Sequence, residues 1–99
     1  MSGPILSTRA QADLASIKAY YVEHRSPAAA AKVLQGLAMG VAHIGDYPAA
    51  GRRRPELSGD GYDVWSHVVP PYVIYYLNER PVWVTRILHG ASDPDFLAP

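Results

Sequence analysis

Tyr72-Val73-Ile74-Tyr75-Tyr76-Leu77, a turn at Asn78-Glu79-Arg80-Pro81, and Val82-Trp83-Val84-Thr85-Arg86-Ile87-Leu88-His89-Gly90 together decide the fold class. Both runs are rich in aromatic and β-branched residues, which suit a pleated surface, and the polar, proline-containing tetrapeptide between them is turn chemistry. They read as adjacent strands. Tyr72, Ile74 and Tyr76 alternate with Val73, Tyr75 and Leu77, while Val82, Val84 and Leu88 alternate with Trp83, Thr85 and Ile87. Apolar side chains therefore stand on both faces, whereas a strand with one face in water carries polar residues there. Each face needs a cover.

Working outward, Tyr62 to Val69 is a further strand, stopped by Pro70-Pro71 and preceded by the turn Ser58-Gly59-Asp60-Gly61. The first half of the chain is helical. Ile5-Leu6 forms a short edge strand, and Ser7 or Thr8 then caps a helix, with Gln11 completing a capping box three residues after Thr8. Ala10, Leu14, Ile17 and Tyr21 recur at helical spacing and carry it to about His24. Ser26-Pro27 starts a second helix with the stripe Ala30, Leu34, Leu37, Val41 and Ile44, ended by Gly45. Asp46 to Gly51 is a turn-rich linker.

The fold class is α+β: an N-terminal helical hairpin packed on one face of a small, mainly antiparallel sheet. Four strands about 4.8 Å apart span roughly 15 to 20 Å, the width of two helices side by side, so the hairpin covers one face only. The second apolar face is expected to take a partner, and the competing cover is the chain's own tail or a self-contact. Residues 1–99 read as one domain, with 92–99, which holds two prolines and no periodicity, as a flexible or partner-ordered tail.

Of the 99 residues 48% are hydrophobic and 18% charged, a globular composition. The short uncharged head is no signal peptide and no apolar run approaches a membrane span, so a cytoplasmic protein without membrane contact is expected. Without cysteine there is neither a disulfide framework nor a thiolate metal site. Nine Lys and Arg balance nine Asp and Glu, which disfavours direct sequence-specific DNA binding by this chain, because phosphate neutralisation calls for a basic face.

Chemistry is sparse. His24, His43, His67 and His89 show no close pairing in sequence, so no metal site is expected, and no cofactor motif is present. His89 is a candidate general base or a structural cap at a strand end. Asp93 and Asp95 fall in the tail and read as solvated. In Arg52-Arg53-Arg54 the alternation sets Arg52 and Arg54 opposite Arg53; the run is either a solvated edge strand or a partner contact, with Glu56 available to pair with an arginine. Arg86 lies inside an apolar strand, where a charge needs either an ion-pair partner or a binding role.

Together these residues resemble the RelE/ParE toxin superfamily, its ParE branch in particular. Leu6-Ser7, Ala10, Asp13-Leu14, Ile17 and Tyr20 are similar to that family's first helix. Pro48, Gly51 to Arg54 and Glu56-Leu57 resemble its link into the sheet, and Tyr72 to Tyr76 with Arg86-Ile87-Leu88-His89-Gly90-Ala91 resemble its closing strands. One departure is Ser92 between Ala91 and Asp93, where the family motif often has arginine.

The resemblance implies a toxin of a type II toxin-antitoxin pair, held in a hetero-oligomer by a ParD-like ribbon-helix-helix antitoxin and directed at DNA gyrase by binding. Arg52, Arg54, Tyr75, Trp83, Arg86 and His89 are the expected partner contacts. The alternative it implies is a RelE-type, ribosome-dependent mRNA endoribonuclease, for which His89, Arg86 and Arg54 would be catalytic. RNA cleavage needs acid, base and cationic groups; a neutral chain with Phe96 in its tail favours the gyrase branch. An accessory binding domain without toxicity is the third class.

Overall fold

The computed structural model describes residues 3–90; the expectations for residues 91–99 fall outside them. The elements are β1 (Ile5–Leu6), α1 (Thr8–His24), α2 (Pro27–Asp46), a 3-10 turn (Pro48–Ala50), β2 (Arg52–Arg53), a second 3-10 turn (Pro55–Leu57), β3 (Val64–Val69), β4 (Tyr72–Leu77) and β5 (Trp83–His89). The five strands form one sheet in the order β1-β5-β4-β3-β2, parallel only between β1 and β5. Two helices on this sheet give the expected α+β architecture. Among the described residues no helix is long and apolar enough to cross a membrane.

Local chemistry sets the helix boundaries. Ser7 caps α1: its Oγ accepts from the Ala10 N–H at 3.0 Å and donates to the Thr85 carbonyl at 2.7 Å, tying the helix start to β5. Thr8 is therefore the first helical residue rather than a cap, and Gln11 donates to the Leu6 carbonyl instead of closing a capping box. Ser26 caps α2 through the Ala29 N–H, with Pro27 at the first position. Gly45 does not end α2, which runs to Asp46; the missing side chain at Gly45 leaves room for the Pro4 ring.

The core lies between hairpin and sheet, built from Ala10, Ile17, Leu37, Ile44, Tyr72, Ile74, Tyr76, Val82, Val84 and Ile87. Gly40 brings α2 close to it, since a Cβ there would sit 2.7 Å from Val69 Cγ2 and 3.0 Å from Ile74 Cδ1. The Tyr76 hydroxyl donates to the Pro48 carbonyl at 2.6 Å, fastening the linker to the sheet, and burial raises its pKa.

Strict alternation fails in β5. Tyr75 pairs with Arg86 but Tyr76 pairs with Val84, so Thr85 is the extra residue of a β-bulge, its Oγ1 donating to the Tyr75 carbonyl at 3.1 Å. Beyond the bulge the faces exchange. Ile87 joins the core with Val82 and Val84, and Leu88 turns to the helix-free side opposite Val73.

Candidate binding surfaces

On the helix-free face one cross-strand row runs Arg52, Ser66, Tyr75, Arg86, each facing the next across a strand pair. The neighbouring row holds Val64, Leu77 and Trp83, and Arg54 joins it by donating its N–H to the Val64 carbonyl at 2.8 Å. Five of the six expected contacts, Arg52, Arg54, Tyr75, Trp83 and Arg86, thus fall on one face of the sheet by register, although the Arg86 guanidinium ends on Asp13 of α1, while Arg53 faces the other way beside Trp65. His89 does not join them. It pairs with Tyr72 on the helical side, its ring edge-on to that of Tyr72 at 5.7 Å, in a hollow of about 220 Å³ bordered by Asp13, Tyr20 and Ile87. Burial and the Tyr21 hydroxyl push the Tyr72 phenol up to about 12.

The two inner arginines are already held by carboxylates. Arg86 Nε and Nη2 donate to Asp13 at 2.8 and 3.0 Å, and the same carboxylate accepts the Ile87 N–H at 2.9 Å. The Asp13 hydrogen bond raises the Arg86 pKa further. Arg54 Nε pairs with Glu56 at 3.2 Å, its Nη1 reaches Ser66 Oγ at 3.4 Å, and its guanidinium carbon lies 5.8 Å from the centre of the Tyr75 ring. On the opposite face Asp63 accepts from Trp65 Nε1 and Arg53 Nε, both at 2.9 Å; these bonds, that from Trp65 foremost, hold its carboxyl below the usual carboxylate range.

The expectation of an open greasy layer is therefore met only at the margins. Val68 is 60% and Trp83 38% exposed, but Tyr75 is 6% exposed and Val64 is buried. Arg54 lies across the middle of the face, where a long side chain covers an aromatic ring with its stem and keeps its head polar. Arg52 remains exposed at the rim.

The larger apolar hollow is on the other side of the molecule. Leu14 and Leu34, members of the two helical stripes, line a groove of about 450 Å³ between α1 and α2, together with Leu6, Ala15, Leu37, Ala38 and Val41, with Lys18 as its one charged border, and Leu14 also packs against the core. Helical spacing names such a stripe but does not say whether two stripes meet or part. His43 of α2 and His67 of β3 come together, ring centres 5.3 Å apart, across 24 residues of sequence that no local spacing links, and among the described residues no three or more metal-ligating side chains gather.

Comparison with known proteins follows this geometry. The family model described as the ParE toxin of type II toxin-antitoxin systems, parDE, matches residues 5–94. Among solved structures the chain is similar to one described as a chromosomal ParDE TA system from P. aeruginosa, with a TM-score of 0.71 and 23% identity over 90% of this chain and 96% of that one. This second likeness is one of fold. No curated protein matches the chain.

Proposed function

We propose, for a chain that belongs to the ParE toxin family of type II toxin-antitoxin systems, that it inhibits DNA gyrase by occupying it, without bond chemistry of its own, and that a ParD-like antitoxin in the same assembly neutralises it. The observation that carries this reading is the pairing of Arg54 with Glu56 and of Arg86 with Asp13. A nuclease needs cations free to meet the charge that builds on a phosphate in the transition state, and a base within reach of the attacking hydroxyl. Here both guanidiniums spend their forks inside the chain, Arg54 on Glu56 and Arg86 on Asp13, and His89 stands across the sheet from Arg54.

The surfaces then divide by chemistry. The groove between α1 and α2, about 450 Å³ and lined by apolar side chains, suits the apolar stripe of an amphipathic antitoxin helix, with Lys18 placed for an acidic residue at its edge. The exposed margin of the helix-free face, Arg52, Val68 and Trp83, offers the target guanidinium, apolar and aromatic contacts. Incubation of the purified protein with gyrase and plasmid tests the target: supercoiling should fail and cleaved plasmid accumulate. Unimpaired gyrase together with codon-placed cuts in translated mRNA, lost in His89→Ala, would replace this reading with the endoribonuclease.

A further inference from the structure

We propose that His43 and His67 form a two-imidazole site for a zinc-class divalent cation that pins α2 to β3. Zinc holds imidazole nitrogens at about 2.0 to 2.1 Å in tetrahedral array, which sets the centres of two ligating rings about 5 Å apart. The two rings stand 5.3 Å apart and tilted by 39°. Neither imidazole donates or accepts a hydrogen bond among the described residues, and the contacts of His43 are with the rings of His67 and Tyr47 alone. Ring nitrogens of this kind normally meet a polar partner.

Access fits the same ligand. His43 is exposed and His67 half-buried. β2 pairs with β3 only at Trp65 and Ser66, so β3 beyond Ser66 borders no further strand among the described residues, leaving room for the waters that complete a four-coordinate ion. Imidazole pairs select zinc, nickel and copper over magnesium and calcium. The ligands come from separate elements that unfolding parts, so the ion binds the native state and stabilises it.

Zinc chloride alone is the probe. Titration calorimetry of the full chain should show one zinc per chain, and in NMR spectra the ring signals of His43 and His67 should shift ahead of those of His24. At zinc 100-fold above its Kd, the folding equilibrium constant should rise about 100-fold, reversibly on chelation. His43→Asn, a change at an exposed position, should keep the fold and lose about 100-fold or more in affinity, the advantage of a second pre-placed ligand. His24→Asn should bind zinc as the parent does. Zinc binding that survives His43→Asn, or shifts confined to other rings, overturns the site, as does a parent chain indifferent to millimolar zinc.

Discussion

Replacing Asp13 by alanine removes three hydrogen bonds at once: two from the Arg86 guanidinium, at 2.8 and 3.0 Å, and one from the Ile87 N–H at 2.9 Å. What remains is a cation 17% exposed in the folded chain and the N–H of Ile87, past the end of β1, without its acceptor. Breaking a fully buried pair by deleting one partner costs about 3 to 5 kcal/mol, and the residual exposure here places the cost at the lower end, about 3 kcal/mol. A domain of this size has about 5 to 15 kcal/mol in all. The loss should lower Tm by roughly 12 to 24 °C. Asp13→Asn keeps a carbonyl acceptor and gives up the charge, and should cost about 1 to 2 kcal/mol. Urea unfolding followed by circular dichroism measures both, and a cycle with Arg86→Met should return a coupling of about 2 kcal/mol. An Asp13→Ala cost under about 1 kcal/mol, or additive single and double variants, would refute the claim that this pair clamps α1 to β5.

Three further outcomes follow from the same structure. Leu34→Glu puts a charge in the apolar groove, half in water, so antitoxin affinity by calorimetry should fall at least about tenfold while Tm stays within a few degrees. Gly40→Ala forces a methyl group to within 2.7 Å of Val69 and should cost about 1 to 3 kcal/mol in urea unfolding. Burial, and secondarily the charge of His43, hold the His67 pKa below its ordinary 6.5, so the native state binds fewer protons than the unfolded one. That stability is complete above pH 6.5 and is lost as pH falls through the lowered value; urea midpoints across pH 5 to 7.5 should show the loss, and His67→Phe should flatten it.

The helical hairpin and the three long strands were legible because their signals are local. Ser26-Pro27 is a cap and a first helical residue side by side, Pro70-Pro71 cannot continue a ladder, and Tyr72 to Leu77 is β-rich without interruption. The opposition of Arg52 and Arg54 to Arg53 also followed from the pleat alone, and Glu56, available to pair with an arginine, takes Arg54. The bulge at Thr85 did not, because an extra residue leaves composition unchanged and reveals itself only in the partner strand's register. That one residue decides which of Ile87 and Leu88 is core.

The candidate sites divide along the same line. Arg86 announced itself as a charge among apolar residues, yet its partner Asp13 lies 73 positions away on α1, beyond any sequence window. The meeting of His43 with His67 and the parting of the stripes around Leu14 and Leu34 are likewise products of tertiary packing. His89 was grouped with the arginines because it closes the same strand, but it stands three residues past Arg86 with no bulge between them, so plain alternation sets it on the other face.

The central claim is that this toxin works by occupancy, and a titration of gyrase with the purified protein tests it most directly. Supercoiling activity and bound toxin are measured in the same samples, at gyrase concentrations well above the Kd. The inhibited fraction should follow the bound fraction point by point and reach completeness only as the toxin approaches one per binding site, with activity restored when the antitoxin strips it off. Complete and lasting loss of gyrase activity at a small fraction of equimolar toxin would mean turnover, and would contradict the account.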